Sequence, residues 1–466
     1  MFHSHQVVKS VMEHVPGTGR WYLIDRGRIT VFLVLLLLFP ICLAGGVNET
    51  ASFSSAELFA PVQQHVHGST IVELPDGDLL VAWFQGTGER TADDVAILGA
   101  RLEKGQDRWS EPFLLADSPG FPDINPVLFM DMRGRLWLVW YTVLAHQWDT
   151  SLLKYRISED FEDGVPVWDW QDVLLVKPGD PPGYGIQEDD RFAASVSRQL
   201  DDYERYLEQL PGASERRQEW NDWKAAVLGN VRGQNFVRRG SRIDEDGVKT
   251  EHSVGYPYYR RMGWQTRNKP FVLDGRTLIL PLYSDGLDFS LMALTDDLGA
   301  NWYFSSPLVG LANIQASIVQ KRNGNLVAYM RDNGPPPKRL QVSESDDGGL
   351  TWSNVRDSTL PNPGAGADFV TLKNGHWVAV YNDSERGRQS LAVSLSLDEG
   401  ESWSHTQHIE RDPRDSDVAL RSHYPAVIQG ADGFLYVSYS YHGNDSKGEP
   451  SKTIKWARFN EAWISQ

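Results

Sequence analysis

The sequence has a single cysteine, Cys42, in 466 residues, and it has few basic side chains relative to acidic ones. One thiol cannot form an internal disulfide, and it argues against a zinc site built from cysteine and histidine. Lysine and arginine number 45 against 62 aspartates and glutamates, for a net charge of −17. A field of that sign repels phosphate backbones, so no nucleic-acid partner is expected. No metal or cofactor motif is recognised, and neither is predicted.

The one long apolar run, Val31–Ala44, has 14 residues. A bilayer span needs about 20, whereas the apolar part of a signal peptide needs about 7–15. Arginines precede the run, and small residues at 44–46 follow it. We therefore predict that residues 1–46 are a signal peptide, with a membrane anchor as the alternative. The protein is expected to be secreted or periplasmic, or else anchored with its folded part outside the cytoplasm, and it meets a membrane only if this segment is retained.

A repeated octapeptide is the most informative feature of what the sequence does contain. The pattern [S/T]-x-D-x-G-x-x-W occurs at 295–302, 345–352 and 396–403, and its aspartates Asp297, Asp347 and Asp398 lie 50 and then 51 positions apart. An aspartate in a tight turn accepts hydrogen bonds from the turn's own backbone, and glycine takes the positive-φ position. We interpret the octapeptide as a structural lock on a β-hairpin, repeated every ~50 residues.

Short apolar or alternating runs bounded by turn residues predict strands between these locks. Several follow an Asp-Gly or Asn-Gly turn, which is typical of hairpins. Six such runs and the long period favour an all-β, six-bladed propeller over a β-sandwich. The runs are Leu79–Phe84, Leu136–Tyr141, Thr277–Tyr283, Leu326–Met330, Trp377–Tyr381 and Phe434–Tyr439.

One segment breaks the strand pattern. Phe192, Val196, Leu200 and Tyr203 follow helical spacing with dense charge between them. We predict a helical hairpin inserted at about 186–255 in a propeller that covers 55–466. Such a hairpin can cover the core with its apolar stripe, or it can form a roof over a ligand site.

With these boxes and strands, residues 60–465 resemble the sialidase (neuraminidase) superfamily, and within it the "predicted neuraminidase" subgroup. The resemblance implies a six-bladed propeller and three arginines that bind the substrate carboxylate. Arg331, at the end of a strand, and Arg388 match the second and third arginine. The first falls on His67, whose imidazole is a weaker, pH-dependent substitute. Arg90 follows the next strand.

The resemblance also implies a nucleophilic tyrosine and an acid/base aspartate. Tyr424, in His-Tyr-Pro before the last blade, matches the tyrosine, and Asp93 matches the aspartate. A phenol needs a basic neighbour to attack an anomeric carbon, and the family supplies a glutamate for this. Here the corresponding stretch carries Gln315, which can orient the tyrosine but cannot accept its proton.

Three further residues are predicted to line the substrate pocket. Asn125 resembles a pocket asparagine of the family. Arg267 is the best candidate to compensate for the missing first arginine, and His423 adjoins the tyrosine.

The resemblance implies a secreted exo-glycosidase that hydrolyses a terminal acidic sugar, sialic acid or a related one, with an anionic carbohydrate as its partner. Two alternatives stay open. One is a non-catalytic carbohydrate-binding propeller, which the missing arginine and glutamate permit. The other is a polysaccharide lyase in which His67, His423 and Tyr424 serve as base and acid beside a uronate.

Overall fold

A computed structural model describes residues 50–179, 190–210, 212–234, 237–243, 245–255, 258–414, 420–444 and 446–466, and the backbone of three short strands before residue 31. The chain divides into two compact units, Met1–Glu49 and Thr50–Gln466. In the first unit, β1 (Met12–His14), β2 (Trp21–Asp25) and β3 (Arg28–Thr30) pair antiparallel. The apolar run of the predicted signal peptide lies outside the described residues. Among the described residues, no helix is both long and apolar enough to cross a bilayer.

The second unit is a six-bladed β-propeller of antiparallel sheets. β4 (Phe53–Glu57) precedes the first blade. The first blade contains β5 (His65–Glu73), β6 (Leu79–Gly86), β7 (Ala96–Leu102) and β8 (Phe113–Ala116), and the second contains β9 (Asp123–Met130), β10 (Leu136–Val143), β11 (Ser151–Ser158) and β12 (Trp170–Val173). The third blade contains β15 (Trp264–Thr266), β16 (Phe271–Leu273), β17 (Thr277–Ser284), β18 (Phe289–Thr295) and β19 (Tyr303–Phe304), and the fourth contains β20 (Asn313–Gln320), β21 (Leu326–Asp332), β22 (Arg339–Ser345) and β23 (Arg356–Pro361). The fifth blade contains β24 (Asp368–Thr371), β25 (Trp377–Tyr381), β26 (Ser390–Ser396) and β27 (His405–Arg411), and the sixth contains β28 (Arg421–Gln429), β29 (Leu435–Asn444) and β30 (Pro450–Phe459).

The ring of blades is closed by strands from both ends of the unit. β4 is the outermost strand of the last blade, where it pairs antiparallel with β30 from Lys455↔Glu57 to Phe459↔Phe53. The innermost strands also form a ring, because β5 packs beside both β9 and β28. The last blade is thus built from both ends of the unit, which holds the ring closed.

The six strand runs predicted from the sequence all fall on the second strands of the blades, and the six-bladed propeller is confirmed. These strands are buried on both faces because each blade packs between two others. Large aromatic side chains fill the space between blades, and Trp83, Trp137 and Trp377 are each 0–1% exposed. The core is therefore divided between the blades, and the central axis is left for polar side chains.

The repeated octapeptides are the turns between the third and fourth strands of three consecutive blades. In the second one, the Asp347 carboxylate accepts hydrogen bonds from the backbone N–H groups of Leu350 and Thr351 at 3.1 and 2.9 Å. It also accepts from the hydroxyl groups of Ser345 and Thr351 at 2.9 and 2.6 Å. Trp352 folds back and donates from its indole N–H to Gly349 O at 3.1 Å. This is the hairpin lock that the sequence predicts.

The predicted helical hairpin is present as α1 (Arg191–Leu207) and α2 (Ala213–Arg232), and it packs on the third and fourth blades. The Asp190 side chain caps α1 by accepting from the N–H groups of Phe192 and Ala193. The α1 side chains at positions 192, 196 and 200 are buried against the propeller. A strand pair follows, β13 (Val237–Ile243) and β14 (Lys249–Gly255), which the sequence did not indicate.

The chain ends in a short helix, α3 (Glu461–Ile464), capped by the Asn460 side chain, which accepts from Trp463 N–H. The Asn460 side chain also bonds Ser52 N–H and Thr50 O, at 3.0 and 2.8 Å. The two ends of the propeller are thus joined by side chains as well as by the β4–β30 pairing.

Candidate active site

Four of the six innermost strands carry a β-bulge at the same end of the channel. In each, the ladder register shifts, and one residue adopts a left-handed backbone. The residues are Gly68, Asn125, Gln315 and Tyr424, with φ of 65°, 47°, 58° and 57°. A bulge of this kind redirects a side chain away from the strand's own two faces. The bulges therefore aim the side chains of three different blades toward one another.

A hydrogen-bond network joins these side chains across the axis. The Asn125 amide lies 3.0 Å from Tyr141 Oη and 3.4 Å from Tyr283 Oη. The Gln315 amide lies 3.3 Å from the same Tyr283 Oη and 3.4 Å from Tyr424 Oη. Gly68 has no side chain here, and a Cβ at that position would lie 2.5 Å from Asn125 Oδ1. The network fixes the position of Tyr424 Oη, which is the last member of the chain of contacts.

Arginines surround the ring of Tyr424. Arg331 donates from Nη1 to Tyr424 Oη at 2.6 Å. The guanidinium of Arg388 lies 5.4 Å from the centre of the tyrosine ring, and that of Arg267 lies 5.1 Å away. Burial raises the pKa of Tyr424, but the positive charges of Arg331 and Arg388 outweigh it, and the net pKa is lowered. The site therefore favours a negatively charged oxygen at this point.

Arg267 lies beneath Tyr424 and is 2% exposed. Its guanidinium donates to three backbone carbonyl oxygens, those of Ser69, Tyr424 and Pro425, at 3.3, 2.6 and 3.1 Å. These bonds tie the first blade to the sixth and hold the bulge at Tyr424. In the structure Arg267 supports the backbone of the site from inside the channel.

Arg90 lies on the loop after β6, with its guanidinium 5.0 Å from the ring centre of Trp148. Its Nε is buried and has no hydrogen-bond partner, and the same holds for Nε of Arg331. Among the described residues, no carboxylate oxygen lies within ion-pair distance of Arg90, Arg331 or Arg388. In a chain with an excess of acidic residues, partly buried guanidiniums without a carboxylate in ion-pair distance are typical of a site for an anion.

Histidines form one wall of the site. His67 is 6% exposed, and its ring centre lies 4.2 Å from that of Tyr424 and 4.7 Å from that of His423. His442 lies 4.7 Å from His423 and 5.5 Å from His67 between ring centres. Burial holds the pKa values of His67 and His423 well below the ordinary value and lowers that of His442 to about 3. These imidazoles are therefore neutral at pH 7 and have lone pairs available.

A cavity of about 450 Å³ opens at this wall. Its lining includes His65, His67, Glu89, Arg388, Arg421 and His442. Arg388 is held at its edge by a bond from Nη2 to Gly364 O at 2.8 Å, and its Nη1 lies 3.4 Å from His423 Nδ1. The cavity is large enough for one sugar ring, and its lining mixes positive and neutral nitrogen groups with a single carboxylate.

Two carboxylates at the site were missed by the sequence reasoning. Glu89 lines the cavity, and burial raises its pKa, although Arg90, Arg388 and Arg331 oppose the shift. Asp285 lies on the loop after β17, where burial also raises its pKa against the charge of Arg331. Carboxyl groups with raised pKa values suit proton transfer near neutral pH.

The predicted acid/base residue Asp93 lies on the same loop as Glu89 but nearer its surface. Its side chain is 58% exposed, and Asp93 Oδ1 lies 2.6 Å from His146 Nε2. Among the described residues, Asp93 makes no hydrogen bond or ion pair with Tyr424 or with Arg90, Arg331 or Arg388. The structure thus brings together His67, Gln315, Arg331, Arg388, His423 and Tyr424, with Arg90 and Asn125 beside them, and places Asp93 outside this group.

The model of the BNR repeat-like domain matches residues 77–179 and 265–437, which is more than half of the chain. The chain belongs to this family. The gap between the two matched segments contains the helical hairpin, so the insertion is an addition to the shared propeller. No curated protein matches the sequence.

Solved structures with the same fold include several sialidases. A protein of unknown function from Dyadobacter fermentans is 13% identical, with a TM-score of 0.57, and 87% of this chain and 97% of that one are covered. A leech intramolecular trans-sialidase, complexed with 2,7-anhydro-Neu5Ac, is 13% identical at a TM-score of 0.56, covering 88% and 71%. The NanB sialidase of Streptococcus pneumoniae is 15% identical, with a TM-score of 0.53, and 88% of this chain and 71% of that one are covered. These likenesses show the fold.

A sequence signal for the bulged positions of this BNR-repeat protein does exist. Each of the four left-handed residues lies nine positions before the glycine of the following hairpin turn, Gly77, Gly134, Gly324 or Gly433. The strand length between bulge and turn is therefore constant, and counting back from the turn glycine finds the site residue on each blade. No comparable signal marks Glu89 or Asp285, because both lie in loops.

Proposed function

We propose that this BNR-repeat protein is a glycosidase that hydrolyses a terminal acidic sugar, sialic acid or a related one, outside the cytoplasm. The observation that carries the proposal is the convergence of Arg331 and Arg388 around Tyr424, with no carboxylate oxygen within ion-pair distance of either guanidinium among the described residues. A planar guanidinium pairs well with a carboxylate, and a buried pair is only weakly screened by salt. The site can thus favour an anionic ligand despite the net charge of −17.

Tyr424 is the proposed nucleophile. Its oxygen forms a bond to the anomeric carbon while the bond from that carbon to the leaving oxygen breaks, and a water molecule later hydrolyses the tyrosyl–sugar bond. Arg331, at 2.6 Å, stabilises negative charge on the attacking oxygen. Arg331 and Arg388 lower the pKa of the Tyr424 phenol, so in place of transfer to the missing family glutamate its proton is lost to water before the attack. Gln315 orients the tyrosine but cannot accept its proton.

We assign the acid/base role to the loop that carries Glu89 and Asp93. Its carboxyl group gives a proton to the leaving oxygen and then takes one from the attacking water. Glu89 is favoured over the predicted Asp93 because it lines the cavity, whereas Asp93 is paired with His146 at the surface. Arg267 has a positioning role, since its donors are bound to backbone carbonyl oxygens.

A lyase is the second candidate, and the histidine wall supports it. Neutral His67 and His423, with ring centres 4.2 and 5.7 Å from that of Tyr424, could remove a proton from a uronate while the tyrosine protonates the leaving oxygen. The product separates the two reactions, because elimination leaves an unsaturated sugar that absorbs in the ultraviolet and hydrolysis leaves a saturated reducing sugar.

The test is turnover of aryl glycosides of sialic, related nonulosonic and uronic acids by the wild-type protein and by Tyr424→Phe. We expect a saturated reducing sugar from the wild-type protein. We expect turnover to fall by orders of magnitude in the variant, because the substitution keeps the ring packing and removes only the attacking oxygen. Tyr303→Phe, a surface tyrosine whose hydroxyl bonds Asp296, is the matched control.

Undiminished turnover in a folded Tyr424→Phe protein would contradict the nucleophile assignment. An unsaturated sugar formed from a 4-linked uronate oligosaccharide, with no reducing sugar released from the aryl glycosides, would establish the lyase in place of the hydrolase. Binding of the sugars without any turnover would indicate a carbohydrate-binding propeller.

A further inference from the structure

Three histidines from two blades that adjoin in the ring meet at the cavity. His67 comes from the innermost strand of the first blade, His423 from that of the sixth, and His442 from the next strand of the sixth. One ligand nitrogen from each lies within 4.8 Å of the others. No short motif links the three positions in the sequence, because His423 and His442 lie on paired strands of the sixth blade and closure of the ring brings His67 beside them.

The geometry points to a site for a divalent transition metal ion, of the Zn²⁺ class, held by His67, His423 and His442. Three imidazoles with an open fourth position are a common zinc ligand set, and imidazole also suits copper, nickel and cobalt. Zn–N bonds of about 2.0–2.1 Å require the three nitrogens to lie about 3.3 Å apart, so each ring must move inward by about 1 Å or less.

The second nitrogens of two of these rings are already engaged, as metal-binding histidines usually are. His442 Nε2 lies 2.6 Å from Val66 O. A carbonyl oxygen only accepts hydrogen bonds, so Nε2 carries the proton and the lone pair on Nδ1 is available to an ion. His67 Nδ1 lies 2.9 Å from Ser440 Oγ, and that oxygen also accepts from Gly68 N–H at 3.1 Å. The free nitrogen of His67 is therefore Nε2, and these contacts fix the orientation of both rings before an ion arrives.

His423 has a weaker second contact, from Arg388 Nη1 to Nδ1 at 3.4 Å, which can be given up when the ring binds an ion. Four cationic side chains act on the cluster and oppose a cation: Arg267, Arg388, Arg421 and Lys452. Glu89, which lines the same cavity, favours one.

The position of the cluster suggests what the ion does, and this part rests on the proposed function. His67 stands where the resemblance to sialidases places the first of the three arginines that bind the substrate carboxylate. A metal ion on His67, with its fourth position toward the cavity, restores a positive charge at that point. The acidic group of the sugar would then bind the ion on one side and the arginines on the other.

The first experiment needs no sugar. The full chain is treated with a chelator, dialysed, and titrated with Zn²⁺ by calorimetry, and bound zinc is then counted by elemental analysis. We expect one tightly bound ion per chain in the wild-type protein and in His405→Ala, a histidine on β27 outside the cluster. We expect loss of that ion in His442→Ala.

If His442→Ala does not fold, the wild-type protein by itself still tests the metal site. Co²⁺ added to the chelator-treated wild-type protein should give the visible absorption of a tetrahedral nitrogen site. Wild-type protein that takes up no zinc, or a folded His442→Ala that takes up as much, would overturn the site.

The second experiment measures binding of an unsaturated sialic acid analogue to metal-free and zinc-loaded protein. Tighter binding to the loaded form supports a role for the ion in holding the acidic group. Equal binding overturns that role and leaves the proposed function intact. Zinc binding without any sugar binding in either form would support the metal site and count against the proposed sugar.

Discussion

Tyr424 is held in a backbone conformation that tyrosine rarely adopts. A left-handed φ at a residue other than glycine costs on the order of 1–3 kcal/mol and persists only where the surroundings over-determine it. Here the Arg267 bond to Tyr424 O and the Arg331 bond to its hydroxyl do so. Asn125 and Gln315 carry the same strain in two other blades. Strain repeated at one end of the channel is what we expect where function fixes the position of a side chain.

Asp332, next to Arg331 at the end of β21, gives a prediction about stability. Burial raises the pKa of its carboxyl group to about 6, against the opposing charge of Lys338 and the bonds from the N–H groups of Arg339 and Gly334. In the unfolded chain the pKa returns to its ordinary value near 3.8. Between pH 6 and pH 4 the folded protein therefore binds more protons than the unfolded chain, and its stability rises as the pH falls.

Asp332→Asn removes this titration. From pH 7 to pH 5 we expect the free energy of unfolding of the wild-type protein to rise relative to the variant by on the order of 1 kcal/mol. Urea unfolding of both proteins at several pH values measures the difference. If the difference in free energy of unfolding between the two proteins stays constant with pH, or shifts in favour of the variant at pH 5, the pKa of Asp332 is not raised in the folded protein.

At the residue scale the sequence identified side chains whose family counterparts share a blade position, such as Gln315 and Arg331. It did not identify Glu89, Asp285 or His442. The place of these three residues at the site depends on which loops and strands lie next to each other in the closed ring of blades. No local sequence pattern encodes that arrangement. The resemblance indicated an aspartate, Asp93, on the loop that also carries Glu89, and a loop has no periodicity that tells which of its carboxylates faces inward.

The blade is the repeating element, and the octapeptide turn stabilises it. The Asp347 carboxylate takes four hydrogen bonds from a turn that joins β22 to β23. We expect Asp347→Ala to lower the free energy of unfolding by about 1–2 kcal/mol, in the range of a lost side-chain cap. Sugar binding at the other end of the blade should be unchanged, because the box lies outside the site.

The adjacent Asp346→Ala is the matched control for chemical or thermal unfolding, since Asp346 is exposed and makes none of these bonds. Equal stability losses in the two variants would show that the Asp347 bonds do not lock the turn. A loss of sugar binding in Asp347→Ala alone, with its stability unchanged, would contradict the purely structural role.

Elements with strong local periodicity were readable from the sequence, and the others were not. The second strands and the helical hairpin follow from alternating and helical spacing. The pair β13–β14 carries no such pattern and was missed. The hairpin reaches the loop after β17, where the Asn230 amide donates to Gly286 O at 2.7 Å next to Asp285. It covers the core through α1 and also contacts a loop of the site.

At the scale of the whole molecule, a strongly acidic protein concentrates unpaired arginines at one point of its axis. The net charge of −17 is spread over a large surface, where salt screens it beyond about 8–10 Å. The guanidiniums of Arg331 and Arg388 are partly buried, and their short-range attraction is stronger in that environment. The channel therefore favours an anion that the surface as a whole would repel.

Calorimetric titration of 2-deoxy-2,3-didehydro-N-acetylneuraminic acid against its methyl ester tests this claim most directly, since the two ligands differ only in the charge of one group. The wild-type protein should bind the acid more tightly, by one or two charge-assisted bonds of roughly 1.5–3 kcal/mol each. Arg331→Ala should lose most of that preference, while Arg322→Ala, a surface arginine beside Glu399, should keep it. Equal affinity of the wild-type protein for acid and ester would contradict the account.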